Sequence, residues 1–347
     1  MTEFTPVNLI TGFLGSGKTT LLQRLLADPA LADTAVLINE FGEVGLDHHL
    51  LERIDDTMVL LQSGCLCCTI RGELSAALKD LHSKRERGIV PAFRRLVVES
   101  TGLADPFPIL STVQADPVLR HHFRLGNVIT TVDAVNGGGQ LARHAECVKQ
   151  IAVADRLVLT KTDLADGPTV VALTAQILRL NPSAPLWRAA EDTIDAQALL
   201  SHDLFALSGK SEAARRWFAD EMALPAADGH GHDLNRHGDG IHAFSLSFDG
   251  DLDWTMFGIW LTMLLNRHGE AVLRVKGILN VAGSATPVAV HGVQHLVHPP
   301  VHMAAWPDGD RRSRLVFIVD GLDRTAIEHS LTAFLQSGSS VEVPAVA

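Results

Sequence analysis

Cysteine is scarce in this chain. Four in 347 residues are too few for a disulfide framework to hold the fold together. Long apolar runs are missing as well: none approaches the ~20 residues that a membrane-spanning helix requires, so no membrane partner is expected. Net positive charge is absent, with 29 Lys and Arg against 40 Asp and Glu, a formal charge of −11. That sign opposes nucleic acid or an anionic membrane surface as the main partner. A leader pattern is also lacking. The stretch "MTEFTPVNLITGFLGSGKTT" is apolar in part but has no basic n-region and no small-residue cleavage site, so it does not read as a signal peptide. The expected setting is the cytosol, where thiols stay reduced.

What is present supports a large folded protein. Hydrophobic residues make up 46% and charged residues 20%, which suffices for a sizeable core in about two domains. Apolar runs at 7–12, 35–40, 95–100, 127–133 and 156–161 alternate with helically spaced stretches at 18–28, 72–83 and 168–180. Continuous apolar strands separated by helices predict an α/β domain with a mostly parallel sheet covered on both faces. Residues 1–200 are assigned to it. Residues 201–240 change character: "LPAADGHGHDLNRHGDGIH" (224–242) is rich in Gly, His and Asp and has no apolar period, which reads as a linker. Residues 241–347 then supply strand-like runs, a helix with Asp253 as N-cap and Gly269 as stop, and a closing helix at 323–335. This predicts a smaller α+β domain.

"GFLGSGKT" at Gly12–Thr19 fits G-x-x-x-x-G-K-[ST], between a strand-like and a helical run, the context this phosphate-binding loop requires. Gly12, Gly15 and Gly17 let the backbone turn its N–H groups inward on a phosphate chain, and the next helix adds its positive end. Ser16, Lys18, Thr19 and Thr20 complete the expected nucleotide contacts, with Lys18 on the β- and γ-phosphates and the Thr19 hydroxyl on Mg²⁺. "VVESTG" (97–102) ends a strand in Glu99; a carboxylate there suits the Mg²⁺ shell, and the Gly102 N–H suits the γ-phosphate. Lys18, Thr19 and Glu99 are the expected catalytic residues. "LTKTD" (159–163) ends a later strand. Asp163 suits the guanine N1–H and amine, a donor pair adenine lacks, and the Lys161 stem suits the face of the base. This selects GTP over ATP. Asn usually precedes that Lys, and Thr160 stands here instead.

"GCLCC" gathers Cys65, Cys67 and Cys68 between the phosphate loop and Glu99, the interval that responds to the γ-phosphate in such GTPases. Thiolates are soft ligands that favour Zn²⁺, Cu⁺ and similar ions. At least two of them are expected to bind metal, with Glu40, Glu43, His48 or His49 as further ligands. Buried inert thiols or a Cys65–Cys68 disulfide are the competing readings.

Taken together, "GFLGSGKTTLL", "INEFGEVGLD", "SGCLCC", "VVESTGLADP" and "LTKTDL" resemble the CobW-type metallochaperone GTPases, a group of cobalt-linked members, zinc chaperones and nitrile hydratase activators. The C-terminal "LRVKGILNV" and "HGVQHLVHPPVHMAAWP" are similar to that family's second domain. The resemblance implies GTP hydrolysis coupled to delivery of a transition metal, zinc foremost and Co²⁺ or Fe²⁺ admissible, to a client metalloprotein. It implies metal on Cys65, Cys67 and Cys68; Glu40 is the expected further ligand, and the protein is expected to be a monomer or homodimer. Ser63-Gly64 stands where Gly-Gly is common. The runner-up readings are a dedicated cobalt- or iron-insertion activator of one enzyme, a P-loop small-molecule kinase, and a metal sensor. His230, His232, His237 and His242 suit a secondary metal reservoir or a solvated loop. His291, His295 and His298, expected partly on different faces, read as structural.

Overall fold

The computed structural model describes residues 4–38, 70–190, 194–200, 240–307 and 309–338. It forms two compact units, Met1–Ile177 with Ala184–Leu204 and Leu178–Ser183 with Phe205–Ala347. Cys65, Cys67, Cys68, Glu40, Glu43, His48, His49, His230, His232 and His237 lie outside the described residues, as does the 201–240 stretch except Gly240.

The first unit starts with β1 (Thr5–Gly12), followed by α1 (Lys18–Leu26), β2 (Thr34–Ile38), α2 (Ile70–Glu86) and β3 (Arg95–Glu99). Val7, Leu9 and Ile10 of β1 are all buried, the mark of a strand covered on both faces. Next come α3 (Pro106–Ala115), α4 (Pro117–His122), β4 (Phe123–Asp133), α5 (Gly137–Arg143), α6 (Ala145–Ala152) and β5 (Arg156–Thr160). The unit closes with α7 (Gly167–Leu180), β6 (Leu186–Arg188) and α8 (Ala196–Leu200). The six strands form one sheet in the order β2-β3-β1-β4-β5-β6. Every pairing is parallel, as the continuous apolar runs predict.

The order reverses at β1: β2 and β3 lie to one side and β4, β5 and β6 to the other. In such sheets ligands sit at the carboxyl ends of the strands around that reversal. Leu21, Leu22 and Leu25 of α1 bury against Ile10, Val36, Val97, Ile129 and Val158. Each such leucine contributes about 1.5–3 kcal/mol, which anchors the helix whose first turn forms the site. The short helices α3 and α4 escape a reading of apolar period, yet both carry a local start signal. Asp105 and Asp116 cap them by accepting from Phe107 N and from Val118 N and Leu119 N, each with Pro at the first position, a favoured helix opening.

The second unit runs β7 (Ile241–Phe248), α9 (Trp254–His268), β8 (Val272–Leu279), β9 (Val288–Val293), β10 (Leu296–Val297), β11 (Val301–His302), β12 (Ser313–Asp320) and α10 (Arg324–Gly338). Its sheet is antiparallel, β10-β9-β8-β12-β7, with β11 also on β9. Both helices join one core with Phe244, Val275, Leu315 and Phe317, and Trp260 Nε1 donates to Ser330 Oγ at 3.0 Å between them. Asp253 caps α9 as expected, accepting from Met256 N. Gly269 ends that helix with φ −60, so its glycine is required by space rather than by handedness: a Cβ there would stand 2.4 Å from Leu265 O.

One expectation changes. The turn after β9 folds His298 back so that its ring lies 3.6 Å from that of His291, and its N–H donates to His291 O at 3.0 Å. The two histidines share one place rather than separate faces, because the β9–β10 hairpin, not strand alternation alone, sets their positions. His295 Nδ1 lies 2.8 Å from Leu265 O. Among the described residues no helix is long and apolar enough to cross a membrane.

Candidate nucleotide site

The site is assembled from four neighbouring strand tips, those of β3, β1, β4 and β5. At the end of β1 the chain enters left-handed backbone three times, with φ of 138 at Gly12, 71 at Gly15 and 87 at Gly17. These are conformations that side chains resist. Gly12 has a second reason: a Cβ would stand 2.4 Å from Thr131 O on β4. Ser16 N donates to Phe13 O at 3.1 Å, curling the loop. Helix α1 then starts at Lys18 behind the N-cap Gly17, which has no side chain to cap it; a helix start of this kind suits an anion. Lys18 is buried beneath the loop and donates from Nζ to Phe13 O at 3.1 Å. Thr19 and Thr20 face solvent.

The tip of β3 supplies the carboxylate. Parallel register sets Glu99 beside Ile10, and Thr19 Oγ1 donates to Glu99 Oε1 at 2.6 Å. Glu99 is buried at 3% exposure, which rules out a solvent-facing strand end. Two hard oxygens from residues 80 positions apart thus meet beside the loop, the donor chemistry that Mg²⁺ takes. Beyond Glu99, Ser100 Oγ donates to Thr11 Oγ1 at 2.9 Å. Gly102 presses on the loop so closely that a Cβ would stand 2.6 Å from Leu14 N.

The tips of β4 and β5 carry the residues expected to face the base. Lys161 is held at φ 57 and donates from Nζ to Gly15 O at 2.8 Å and to Asp133 Oδ2 at 2.7 Å. Asp163 lies exposed two residues further on. Thr160, the departure from the usual Asn, still ties the loops together. Its hydroxyl donates to Ser16 O at 2.8 Å, with Val132 O at 3.1 Å sharing the proton.

Glu99, Gly102, Lys161 and Asp163 therefore stand on strand tips or the loops that leave them, and Lys18 and Thr19 on the first turn of α1. Sequence reasoning missed Asp133, Thr131 and Gln150. Thr131 Oγ1 lies 2.6 Å from Ser16 Oγ. Gln150, fully buried on α6, donates from Nε2 to Gly102 O at 3.2 Å and Ala104 O at 3.0 Å, pinning the segment after Glu99. Burial pushes the Asp133 carboxyl up, but hydrogen bonds from Lys161 and Asn136, then from the Val135 and Asn136 N–H groups, outweigh it and hold the group below the usual range. Only "TVD" at a strand end hinted at this residue.

Among the described residues no cluster of three His, Cys, Asp or Glu side chains converges as a metal site. The fourth cysteine, Cys147, is buried, and burial pushes its thiol up to about 12, with Glu146 adding to the shift. It reads as a protonated core residue.

A glycine loop at the first strand tip, a carboxylate on the adjacent tip and a Lys–x–Asp turn two strands away define a P-loop nucleotide-binding protein. Comparison with known proteins narrows that class. The family model for the CobW/HypB/UreG nucleotide-binding domain matches residues 6–188, and that for the cobalamin synthesis protein cobW C-terminal domain matches residues 241–335. The chain belongs to the CobW/HypB/UreG family. The zinc chaperone YjiA of Escherichia coli is 33% identical over 90% of this chain and 93% of the relative. The zinc-regulated GTPase metalloprotein activator 1 of Schizosaccharomyces pombe is 29% identical over 79% and 72%. The crystal structure of Zn(II)-bound YjiA GTPase from E. coli superposes with TM-score 0.69 at 28% identity, covering 95% of this chain and 99% of the other.

Proposed function

We infer that the protein is a GTP-hydrolysing metallochaperone that binds zinc and delivers it to a client metalloprotein. The observation that carries this is one of register. Strand β2 ends at Ile38, which pairs with Glu99, which in turn neighbours Ile10 before the phosphate loop. In the chain, the stretch holding Cys65, Cys67 and Cys68 follows Ile38 and precedes α2. The strand that leads into the cysteine stretch thus ends at the same sheet edge as the phosphate loop.

In this reading the N–H groups of Gly15–Lys18 and the Lys18 ammonium bind the phosphates. Thr19 and Glu99 would hold Mg²⁺, which neutralises phosphate charge when bound. Gly102 offers its N–H to the γ-phosphate, and Lys161 with Asp163 receives guanine. Cys65, Cys67 and Cys68, with Glu40, take the metal cargo. The relatives' names supply zinc as that cargo, and nothing among these observations favours cobalt, iron or a small-molecule kinase. Turnover is expected to be slow, since no arginine finger is identifiable. The reading places the protein in the cytosol.

The nucleotide's effect on metal must equal the metal's effect on nucleotide. Competitive zinc titration with a non-hydrolysable GTP analogue against GDP tests this. A difference of about tenfold or more is expected, within the 5–150-fold range of such couplings. Equal affinities would sink the coupling, and a Cys67→Ser, Cys68→Ser variant with unchanged zinc affinity would sink the metal assignment.

A further inference from the structure

Asp133 stands at the end of β4, between the phosphate loop and the base-side turn. Register sets Asp133 beside Thr160 on β5, and Gly12 of β1 beside Thr131 on the same strand. The strand carrying Asp133 therefore separates the two loops that hold opposite ends of a nucleotide. The carboxylate is closed off from solvent at 1% exposure, and both its oxygens are engaged. Oδ1 accepts from Val135 N at 2.8 Å and Asn136 N at 3.2 Å. Oδ2 accepts from Asn136 Nδ2 at 3.0 Å and Lys161 Nζ at 2.7 Å.

Lys161 is half-exposed along its length, with its ammonium fixed between Asp133 and Gly15 O. A lysine stem left free must surrender rotamer freedom when a ligand lies against it. Here the far end is already fixed by a buried charge, so the methylene stem is held in place before any ligand arrives. The left-handed backbone at Lys161 (φ 57) is a strained state for a residue with a side chain, and it persists where surrounding contacts over-determine it. The Asp133 contact is one of these.

We propose that Asp133 is a positioning residue of the nucleotide site: by holding the Lys161 ammonium against Gly15 O it sets the stem for the purine face and ties the base-side turn to the phosphate loop. This rests on the reading of Lys161 as the base-side lysine. The competing role is that of a turn former, since Oδ1 alone organises Val135 and Asn136.

The two roles separate by variant. Asp133→Asn keeps an oxygen for the turn and presents an amide to Lys161. GDP binding is expected to weaken roughly tenfold, as for loss of a hydrogen bond to a charged group. It should read as a raised KM for GTP with kcat within about twofold, and as a smaller preference for GTP over ATP. Lys161→Met should weaken GDP binding comparably, and the double variant should bind no worse than Lys161→Met alone. The inference is overturned if Lys161→Met weakens binding while Asp133→Asn leaves it unchanged, or if the two effects add in full. If Lys161→Met itself leaves GDP affinity intact, the base-side reading fails and this inference with it. Should Asp133→Asn not fold, exposed Asn136→Ala loosens the same carboxylate while sparing the backbone bonds. About threefold weaker GDP binding is expected, less than for Asp133→Asn because the carboxylate keeps its charge and its bonds from Val135 N, Asn136 N and Lys161 Nζ, and none in the Lys161→Met background; unchanged binding overturns the inference.

Discussion

Glu99 carries the most consequential contact at the scale of single residues. Its carboxylate is buried and accepts from the Thr19 hydroxyl, so replacing it by the isosteric amide removes a charge without creating a cavity. For Glu99→Gln, GTP hydrolysis is expected to fall about 100-fold, the scale seen when one preorganised electrostatic group is lost. GDP binding without Mg²⁺ should stay within a few-fold, because the phosphate loop's N–H groups are untouched. Phosphate-release kinetics against a binding titration separates the two, and unchanged turnover would remove Glu99 from the machinery. Legibility at this scale was uneven. Gly12–Thr19 announced itself because a glycine's handedness and a lysine's reach are local properties. Asp133, Thr131 and Gln150 did not, because each acts through a partner on a loop far along the chain, at separations of 28 (Asp133–Lys161), 115 (Thr131–Ser16) and 48 (Gln150–Gly102) residues.

At the scale of elements, α2 joins the cysteine-bearing stretch to the core. Leu78 and Leu81 are fully buried, and His82 beside them stacks on His122 of α4 at 3.9 Å. Burial lowers the His82 pKa below its ordinary 6.5, His122 and Arg85 lower it further, and Glu86 opposes them. The folded state therefore refuses a proton that the unfolded chain accepts, and this contribution to stability is present above about pH 6.5 and fades as pH falls below it. The midpoint of thermal unfolding should drop between pH 7.5 and 5.5, and by less in His82→Gln. An identical drop in the variant would assign the acid sensitivity to other groups. Element boundaries were legible wherever an apolar period was long. The strands expected at 95–100 and 156–161 stand at Arg95–Glu99 and Arg156–Thr160. Helices α3 and α4 were lost for lack of a clear apolar period, although their Asp-Pro openings were in plain view.

At the scale of the whole molecule, the two units bury separate cores. A fragment spanning residues 1–204 is therefore expected to fold, to bind GDP within a few-fold of the full chain and to melt in one transition. Each core, by this argument, is large enough to stand alone. Calorimetry on the fragment and the full chain checks it; a fragment without a cooperative transition would make the second unit part of the first one's stability.

The amino-acid sequence by itself determined the order of the motifs, the alternation of strands with helices and the chemistry each loop can offer, since these follow from local periodicity and residue type. Only the tertiary structure decided which of them meet. By inserting β3 between β1 and β2, and β4 between β1 and β5, the parallel sheet brings Glu99 to Thr19, Thr160 to Ser16 and Lys161 to Asp133. Strand order is set by how helices cover both faces of a twisted sheet, a property of the packed whole that no stretch of chain carries alone.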